Sequence, residues 1–186
     1  MVTMRTLVTG GVRSGKSVIA EKFIADAAAL HSPGVPVTYV ATGPAADDAD
    51  WADRIATHRS RRPDTWQTVE THDLASALDA LTGPALVDCL GTWLTAVLDE
   101  LDVWEAPREG WQDALHKRTA DVVRAWARCP HDVVAVTNEV GWGVVSEHRS
   151  GRIFADELGR LNQDIARASD RVFLVAAGHL LPLRQP

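Results

Sequence analysis

The stretch TLVTGGVRSGKS, residues 6–17, decides the fold, because it joins a short apolar run to a glycine-rich turn and then to a helical pattern. Residues 10–17 fit GxxxxGK[ST], in which a glycine-rich loop follows a strand and opens a helix. Glycines there lack Cβ and tolerate positive φ, so several main-chain N–H groups can converge on one anion. The alternative is an ordinary glycine-rich turn, but the flanking strand and helix favour a phosphate loop.

The predicted loop binds a nucleoside triphosphate, and its members have different roles. Lys16 is expected to neutralise the β- and γ-phosphates, and the Ser17 hydroxyl is expected to ligate Mg²⁺. The dipole of the following helix adds to the attraction for the anion. The predicted binding residues are Gly10, Gly11, Val12, Arg13, Ser14, Gly15, Lys16 and Ser17.

Apolar runs alternate with longer helical patterns along the rest of the chain, which indicates parallel strands with helices on both faces. The runs are nearly unbroken, as in interior strands, and are 6–9, 37–42, 85–89, 133–137 and 172–176. The predicted helices are 16–30, 50–61, 74–81, 92–101, 111–128 and 152–168. Together with the phosphate loop, these elements predict an α/β fold of the P-loop NTPase (RecA-like) class, as one domain over 1–186.

Composition excludes several classes of protein. Of the 186 residues, 46% are hydrophobic and 24% charged, which is ordinary for a globular domain and unlike a disordered chain. A net charge of −6 gives no basic field for nucleic acid. The two cysteines are too few for a disulfide framework, and no apolar run is long enough to span a membrane or to form a signal peptide. The expected location is the cytoplasm.

Asp88 is the predicted magnesium-side carboxylate, because it ends the apolar run ALVD at the end of a core strand. The alternative is that Asp88 only caps the following helix, since acids are frequent at helix N-caps.

His58 lies among four arginines, Arg54, Arg59, Arg61 and Arg62, an arrangement that suits a phosphate. A neutral imidazole attacks phosphorus, and neighbouring guanidinium groups stabilise charge on the transferring group. The alternative is that these residues only complement a helix C-terminus on a solvated face.

Several separated blocks of the sequence form an ordered set. They are LVTGGVRSGKS (7–17), YVAT (39–42), Arg54-Ile55 with His58 and Arg62-Pro63, Trp66 with Glu70, DCL (88–90), WLT (93–95), VTNEVG (136–141) and GRLNQ (159–163). In these blocks the chain resembles the bifunctional adenosylcobinamide kinase and adenosylcobinamide-phosphate guanylyltransferase family of cobalamin assembly. The phosphate loop is common to many families, but the ordered set of blocks is specific and covers almost the whole chain.

The resemblance implies two activities on one corrinoid substrate. ATP or GTP phosphorylates the aminopropanol hydroxyl of adenosylcobinamide, and GMP from GTP is then transferred to that phosphate. His58 matches the guanylylated histidine of the family. The two steps react at different phosphorus atoms, which requires two nucleotide poses or a movement of the predicted His58 helix.

The resemblance also implies a set of contacts to the guanine nucleotide and a homotrimeric assembly. Apart from the phosphate loop, the implied contacts are Ala41, Thr42, Gly43, Arg59, Ser60, Arg61, Arg62, Glu70 and Asp88. The expected catalytic residues are His58 and Lys16. The expected metal is Mg²⁺, held by Ser17 and Asp88.

Two other functions fit parts of the sequence. A simple P-loop kinase acting on a small alcohol would need no histidine chemistry. A GTP-regulated switch is indicated by DCLG, residues 88–91, which fits DxxG, but no NKxD motif that reads guanine follows it.

The tryptophans Trp93, Trp111 and Trp126 fall at helical positions, where packing in the core is the expected role.

Overall fold

The structure is a computed structural model that describes residues 3–43 and 62–185. Its strands are β1 (Arg5–Gly10), β2 (Thr38–Ala41), β3 (Gln67–Glu70), β4 (Ala85–Asp88), β5 (Val133–Asn138), β6 (Arg171–Ala176) and β7 (His179–Arg184). Its helices are α1 (Lys16–His31), α2 (Leu74–Asp79), α3 (Leu90–Glu100), α4 (Gln112–Arg128) and α5 (Arg149–Arg167), with a 3₁₀ turn at Arg108–Gly110.

The strands form one seven-stranded sheet in the order β3-β2-β4-β5-β1-β6-β7. All neighbours pair in parallel except β6 and β7, which are antiparallel. The strand that leads into the phosphate loop, β1, is separated from the Asp88 strand, β4, by β5. The predicted α/β fold, a mostly parallel central sheet with helices on both faces, is confirmed.

The five strands predicted from apolar runs are the five interior strands of the sheet. The two edge strands, β3 and β7, were missed. Every residue of β3 is exposed, and so is every residue of β7, which also contains Pro182. The sequence of β3, QTVE, is not an apolar run, and in β7 a proline interrupts the leucines Leu180, Leu181 and Leu183, which counts against a strand.

Successive residues of the inner strands supply two separate cores, one on each face of the sheet. Leu7, Val40 and Val87 pack in a core with residues of α2, α3, α4 and α5. Their neighbours Val8, Tyr39 and Leu86 pack in a second core with α1. Successive side chains of a strand point to opposite faces of the sheet, so each strand contributes to both cores. This explains why each run is apolar at nearly every residue instead of at every second one.

Three tryptophans anchor the larger core, as predicted. Trp93, Trp111 and Trp126 are 1%, 2% and 1% exposed. The indole N–H of Trp93 donates to the His72 carbonyl at 2.9 Å, and that of Trp126 donates to Ser169 Oγ at 3.0 Å. Each of these two rings therefore buries a large apolar area with its polar atom satisfied, and truncation to alanine would cost about 3–5 kcal/mol.

Five of the six predicted helices are present, with ends shifted by three residues or fewer. The sixth, 50–61, lies outside the described residues. In the described part of the chain, no helix combines the length and the apolar character needed to cross a bilayer.

Candidate active site

The phosphate loop leaves β1 at Gly10 and ends where α1 begins, at the carboxyl edge of the parallel sheet. Arg13 and Gly15 have φ angles of 59° and 96°, and the Ser14 N–H donates to the Gly11 carbonyl at 3.2 Å. Left-handed residues alternating with right-handed ones turn successive N–H groups toward one side. The main chain therefore forms an anion-binding concavity in front of the N-terminus of α1.

Gly10 and the turn between β6 and β7 hold this loop in place. A Cβ on Gly10 would lie 2.4 Å from the Val175 carbonyl oxygen and 2.8 Å from Ser14 Oγ. The Gly178 N–H donates to the Ser14 carbonyl at 2.9 Å. The loop is thus packed directly on the β6–β7 hairpin. A methyl group on Gly11, by contrast, would meet no described atom within 4 Å, so packing does not support the predicted need for glycine there.

Lys16 lies over the loop and is only 7% exposed. Its Nζ donates to the Gly11 carbonyl at 3.1 Å. Ser17 follows in the first turn of α1, and Ser14 Oγ is buried with no hydrogen-bond partner among residues 3–43 and 62–185. A buried ammonium group and a buried hydroxyl are both groups that a phosphate oxygen would satisfy.

Asp88 lies at the carboxyl end of β4, where its Oδ2 accepts a hydrogen bond from Tyr39 Oη at 2.8 Å. Burial, and then the charge of Asp88, raises the pKa of Tyr39 far above its usual value, so this phenol stays a donor. The alternative role for Asp88 is not found, because the N-cap of α3 is Cys89, whose Sγ accepts from the Thr92 N–H.

Arg62 covers the other side of the same tyrosine. Its guanidinium carbon lies 3.6 Å from the centre of the Tyr39 ring, and its Nη1 donates to Thr68 Oγ1 at 3.5 Å. Arg62, Tyr39 and Asp88 therefore form one connected group in which a cation stacks on a ring that is hydrogen-bonded to a carboxylate.

The remaining residues assigned to the nucleotide fall into three groups. Ala41, Glu70 and Asp88 are register partners on adjacent strands, which places Glu70 about 10 Å from Asp88 at Cα. Thr42 is fully buried, and its Oγ1 donates to the Cys89 carbonyl at 2.7 Å, so that side chain has a structural role. Gly43 ends the first described range, and His58, Arg59, Ser60 and Arg61 lie outside the described residues.

A polar group at the end of β5 was not assigned a role from the sequence. Thr9 Oγ1 donates to Glu139 Oε2 at 3.0 Å, and the Glu139 N–H donates to the Gly10 carbonyl at 3.1 Å. Asn162, on α5, accepts from Thr137 Oγ1 at 2.6 Å and donates to the Asn138 carbonyl at 3.0 Å. The blocks VTNEVG and GRLNQ contained these residues, but only the fold brings them together.

Oxygen ligands suited to Mg²⁺ are present at this edge. A hydroxyl on Ser17 and a carboxylate on Asp88 are hard donors of the kind Mg²⁺ takes together with phosphate oxygens. The described residues contain no group of three or more His, Cys, Asp or Glu that would hold a metal by protein ligands alone. A magnesium ion bound largely through a nucleotide does not need such a group.

A family model described as CobU, cobinamide kinase / cobinamide phosphate guanyltransferase, matches residues 6–183. The chain belongs to this family. The match begins in β1, before the phosphate loop, and ends in β7, so it includes every element described above.

Curated members of the family are similar over nearly their whole length. The chain is 41% identical over 184 residues to the bifunctional adenosylcobalamin biosynthesis protein CobU of Salmonella typhimurium, covering 94% of this chain and 97% of that protein. The protein of the same name from Escherichia coli is 39% identical over 185 residues, with coverage of 94% and 97%. CobP of Pseudomonas aeruginosa is 38% identical over 187 residues, with coverage of 97% and 98%.

Among solved structures, the flagellar accessory protein FlaH from Methanocaldococcus jannaschii aligns with a TM-score of 0.48 and 11% identity, covering 98% of this chain and 78% of that one. A likeness at this level carries no argument about function.

Proposed function

We propose that this protein phosphorylates the aminopropanol hydroxyl of adenosylcobinamide with ATP or GTP and then transfers GMP from GTP to the new phosphate, giving adenosylcobinamide-GDP. The observation that carries the proposal is the coincidence of a packed phosphate loop at 10–17 with membership of a family named for both activities. Neither alone is sufficient, because phosphate loops serve many reactions and fold does not fix function.

In the first step the alcohol oxygen attacks the γ-phosphorus and a nucleoside diphosphate leaves with the electrons of the broken P–O bond. The loop amides and Lys16 hold the phosphates and neutralise the charge that develops on them. Lys16 would exchange its bond to the Gly11 carbonyl for phosphate oxygens. Mg²⁺, held by Ser17 and Asp88, would supply further neutralisation of the phosphate charge.

In the second step His58 is the nucleophile. Its imidazole attacks the α-phosphorus of GTP, pyrophosphate leaves, and the corrinoid phosphate then displaces the histidine to form a diphosphate linkage. Dividing one transfer into two is the advantage of covalent catalysis. Ala41, Gly43, Arg59, Ser60, Arg61, Arg62, Glu70 and the main chain of Thr42 are the proposed remaining contacts to the guanine nucleotide.

The location, assembly, substrate class and metal are part of the same proposal. The protein acts in the cytoplasm as a homotrimer on a corrinoid and not on nucleic acid, and it uses Mg²⁺. The net charge of −6 supports a small-molecule substrate bound locally over a polyanion.

A labelling experiment tests the histidine step. The protein is incubated with Mg²⁺ and α-labelled GTP and quenched, and we expect label on the protein that is stable to base and labile to acid. His58→Ala should abolish the label and leave phosphorylation of adenosylcobinamide measurable.

The matched control is His72→Ala, because the His72 side chain is 40% exposed and lies in a described loop. It should label like the wild type. Absence of label under conditions that support turnover would refute the covalent step, and formation of a nucleoside diphosphate without any pyrophosphate would leave a simple kinase.

A further inference from the structure

Glu139 occupies the position next to the first residue of the phosphate loop. β5 lies between β1 and β4, so its carboxyl end opens between the loop and Asp88. Gly10 and Asn138 are register partners, and the Glu139 N–H extends that pairing by donating to the Gly10 carbonyl at 3.1 Å. Main-chain pairing thus fixes the position of the Glu139 Cα atom relative to the loop.

The carboxylate of Glu139 is held by one oxygen. Thr9 is 4% exposed, and its hydroxyl donates to Glu139 Oε2 at 3.0 Å. In the described residues no hydrogen bond is found at Oε1, and Glu139 itself is only partly buried. One oxygen is anchored, and the other can accept a proton from a ligand.

Hydrogen bonds from α5 hold the carboxyl end of β5 in place. Asn162, which is 9% exposed, bridges Thr137 Oγ1 and the Asn138 carbonyl with bonds of 2.6 and 3.0 Å. Buried amides that satisfy two neighbours restrict the main chain they bridge. Asn162 therefore keeps the residues that carry Glu139 in one conformation.

The other carboxylates at this edge are less suited to removing a proton from an alcohol. Asp88 already accepts from Tyr39 Oη and is the proposed magnesium ligand. Glu70 lies on the exposed edge strand β3, with β2, β4 and β5 between it and β1.

We propose that Glu139 is the general base of the phosphorylation step, an inference that rests on the function proposed above. Its carboxylate takes the proton of the substrate hydroxyl as the alcohol oxygen bonds to the γ-phosphorus. The bond from that phosphorus to the β–γ bridging oxygen breaks, and the nucleoside diphosphate leaves with the electron pair. A positioned carboxylate has this role toward hydroxyl acceptors in other phosphoryl transfers.

The two steps differ in their need for such a base. An alcohol must lose a proton to become the attacking group. In the guanylyl transfer, a neutral imidazole attacks through its unprotonated nitrogen. The corrinoid phosphate that then displaces His58 has a second pKa near 6 and is already an anion at neutral pH, so neither nucleophile needs a base to remove a proton. Glu139 therefore serves the first step and is dispensable in the second.

Glu139→Gln is the test, because the amide keeps the shape and can still accept from Thr9 but cannot take a proton. Each step is measured separately, phosphorylation with adenosylcobinamide and MgATP or MgGTP, and transfer with adenosylcobinamide phosphate and MgGTP. We expect the kcat of phosphorylation to fall about 100-fold or more, with the nucleotide KM unchanged and the transfer rate retained. Formate should restore part of the phosphorylation rate to Glu139→Ala.

Thr9→Val is the matched control, since it removes the bond that holds Oε2 but leaves the base. It should lower phosphorylation far less than Glu139→Gln. Retention of phosphorylation in Glu139→Gln within about threefold of wild type would overturn the inference, and so would equal loss of both steps. Failure of the wild-type protein to form any phosphorylated corrinoid would instead refute the proposed function.

Discussion

The site has two halves that are built by different means. The loop half consists of residues 10–17 packed on the β6–β7 hairpin, and its contacts are mostly main chain to main chain. The side-chain half consists of Tyr39, Arg62 and Asp88, joined by a ring contact and a hydrogen bond between side chains. Both are at the carboxyl edge of one sheet. The structure of the loop half depends little on which side chains it carries, whereas the side-chain half depends on each of its three.

The difference shows which changes each half tolerates. In the loop half Val12 is 69% exposed, and a Cβ on Gly11 would meet no described atom within 4 Å. Substitutions at these two positions should therefore cause no steric clash. The same loop cannot accept even one methyl group at Gly10. In the side-chain half, removal of a single polar atom, the Tyr39 hydroxyl oxygen, deletes a hydrogen bond to a charged group. Single substitutions in each half should therefore differ in their effects on stability and binding.

The largest effect is expected at Lys16, where the loop half depends on one side chain. Lys16→Ala removes the buried ammonium group that we propose binds the phosphates, and should lower kcat/KM for both steps about 100- to 1,000-fold. The control is Lys22→Ala, an exposed lysine on the same helix, which should leave both rates unchanged. Product formation under steady-state conditions measures the two variants, and equal behaviour would show that charge at Lys16 has no special role.

Gly10→Ala and Gly11→Ala test the packing of the loop half. The Gly10 methyl would lie 2.4 Å from the Val175 carbonyl oxygen, so the loop or β6 must shift. We expect a loss of about 2–3 kcal/mol in the free energy of unfolding together with weaker nucleotide binding. Gly11→Ala should change both by much less. Urea unfolding and calorimetry with MgGTP give the two values, and similar losses at both positions would contradict the packing described for Gly10.

Tyr39→Phe tests the side-chain half. The variant keeps the ring under Arg62 and removes only the hydroxyl that donates to Asp88 at 2.8 Å. We expect a loss of about 1–2 kcal/mol in the free energy of unfolding, because a hydrogen bond to a charged group is lost without loss of packing. MgGTP should also bind more weakly, since Asp88 loses its orienting partner. Unchanged stability and affinity would show that the bond is incidental.

The smallest effect concerns alkaline pH. Tyr39 is the single tyrosine of the chain, so tyrosinate absorbance reports on it alone. Burial raises the pKa of Tyr39 in the folded state. Below the ordinary pKa near 10 the phenol is protonated in both states, so the free energy of unfolding does not depend on it. Above that pH only the unfolded state releases the proton, so the free energy of unfolding declines. We expect a decline of about 1 kcal/mol per pH unit above that point.

Tyrosinate absorbance should then appear together with loss of the folded state, as followed by circular dichroism. Absorbance that rises near pH 10 in the folded protein would mean that Tyr39 is accessible to water.

The loop half was predictable from the sequence because its requirements are local. A strand, a spaced pair of glycines and a helix start are contiguous in the chain, and the interior strands that flank them are apolar on both faces. The position of Asp88 at the end of one of those strands was also predicted, and its role as a magnesium ligand stays a prediction.

The side-chain contacts were not predictable, because they join residues far apart in the chain. The bond between Thr9 and Glu139 spans 130 residues, and that between Tyr39 and Asp88 spans 49. Nor does the sequence show that the Thr42 hydroxyl donates to the Cys89 carbonyl, since a hydroxyl can pair equally with a ligand or with the main chain. Family resemblance indicated which segments matter but not which atoms meet.

A single reaction with doubly labelled GTP distinguishes the two proposed transfers. Adenosylcobinamide, Mg²⁺ and GTP labelled separately at the α- and γ-phosphorus are mixed with the protein, and the corrinoid products are resolved over time. We expect γ-label to enter the corrinoid first as a phosphate, and α-label to follow as GMP with release of pyrophosphate. A corrinoid that gains neither label, although the protein is folded and binds MgGTP, would contradict the proposed function.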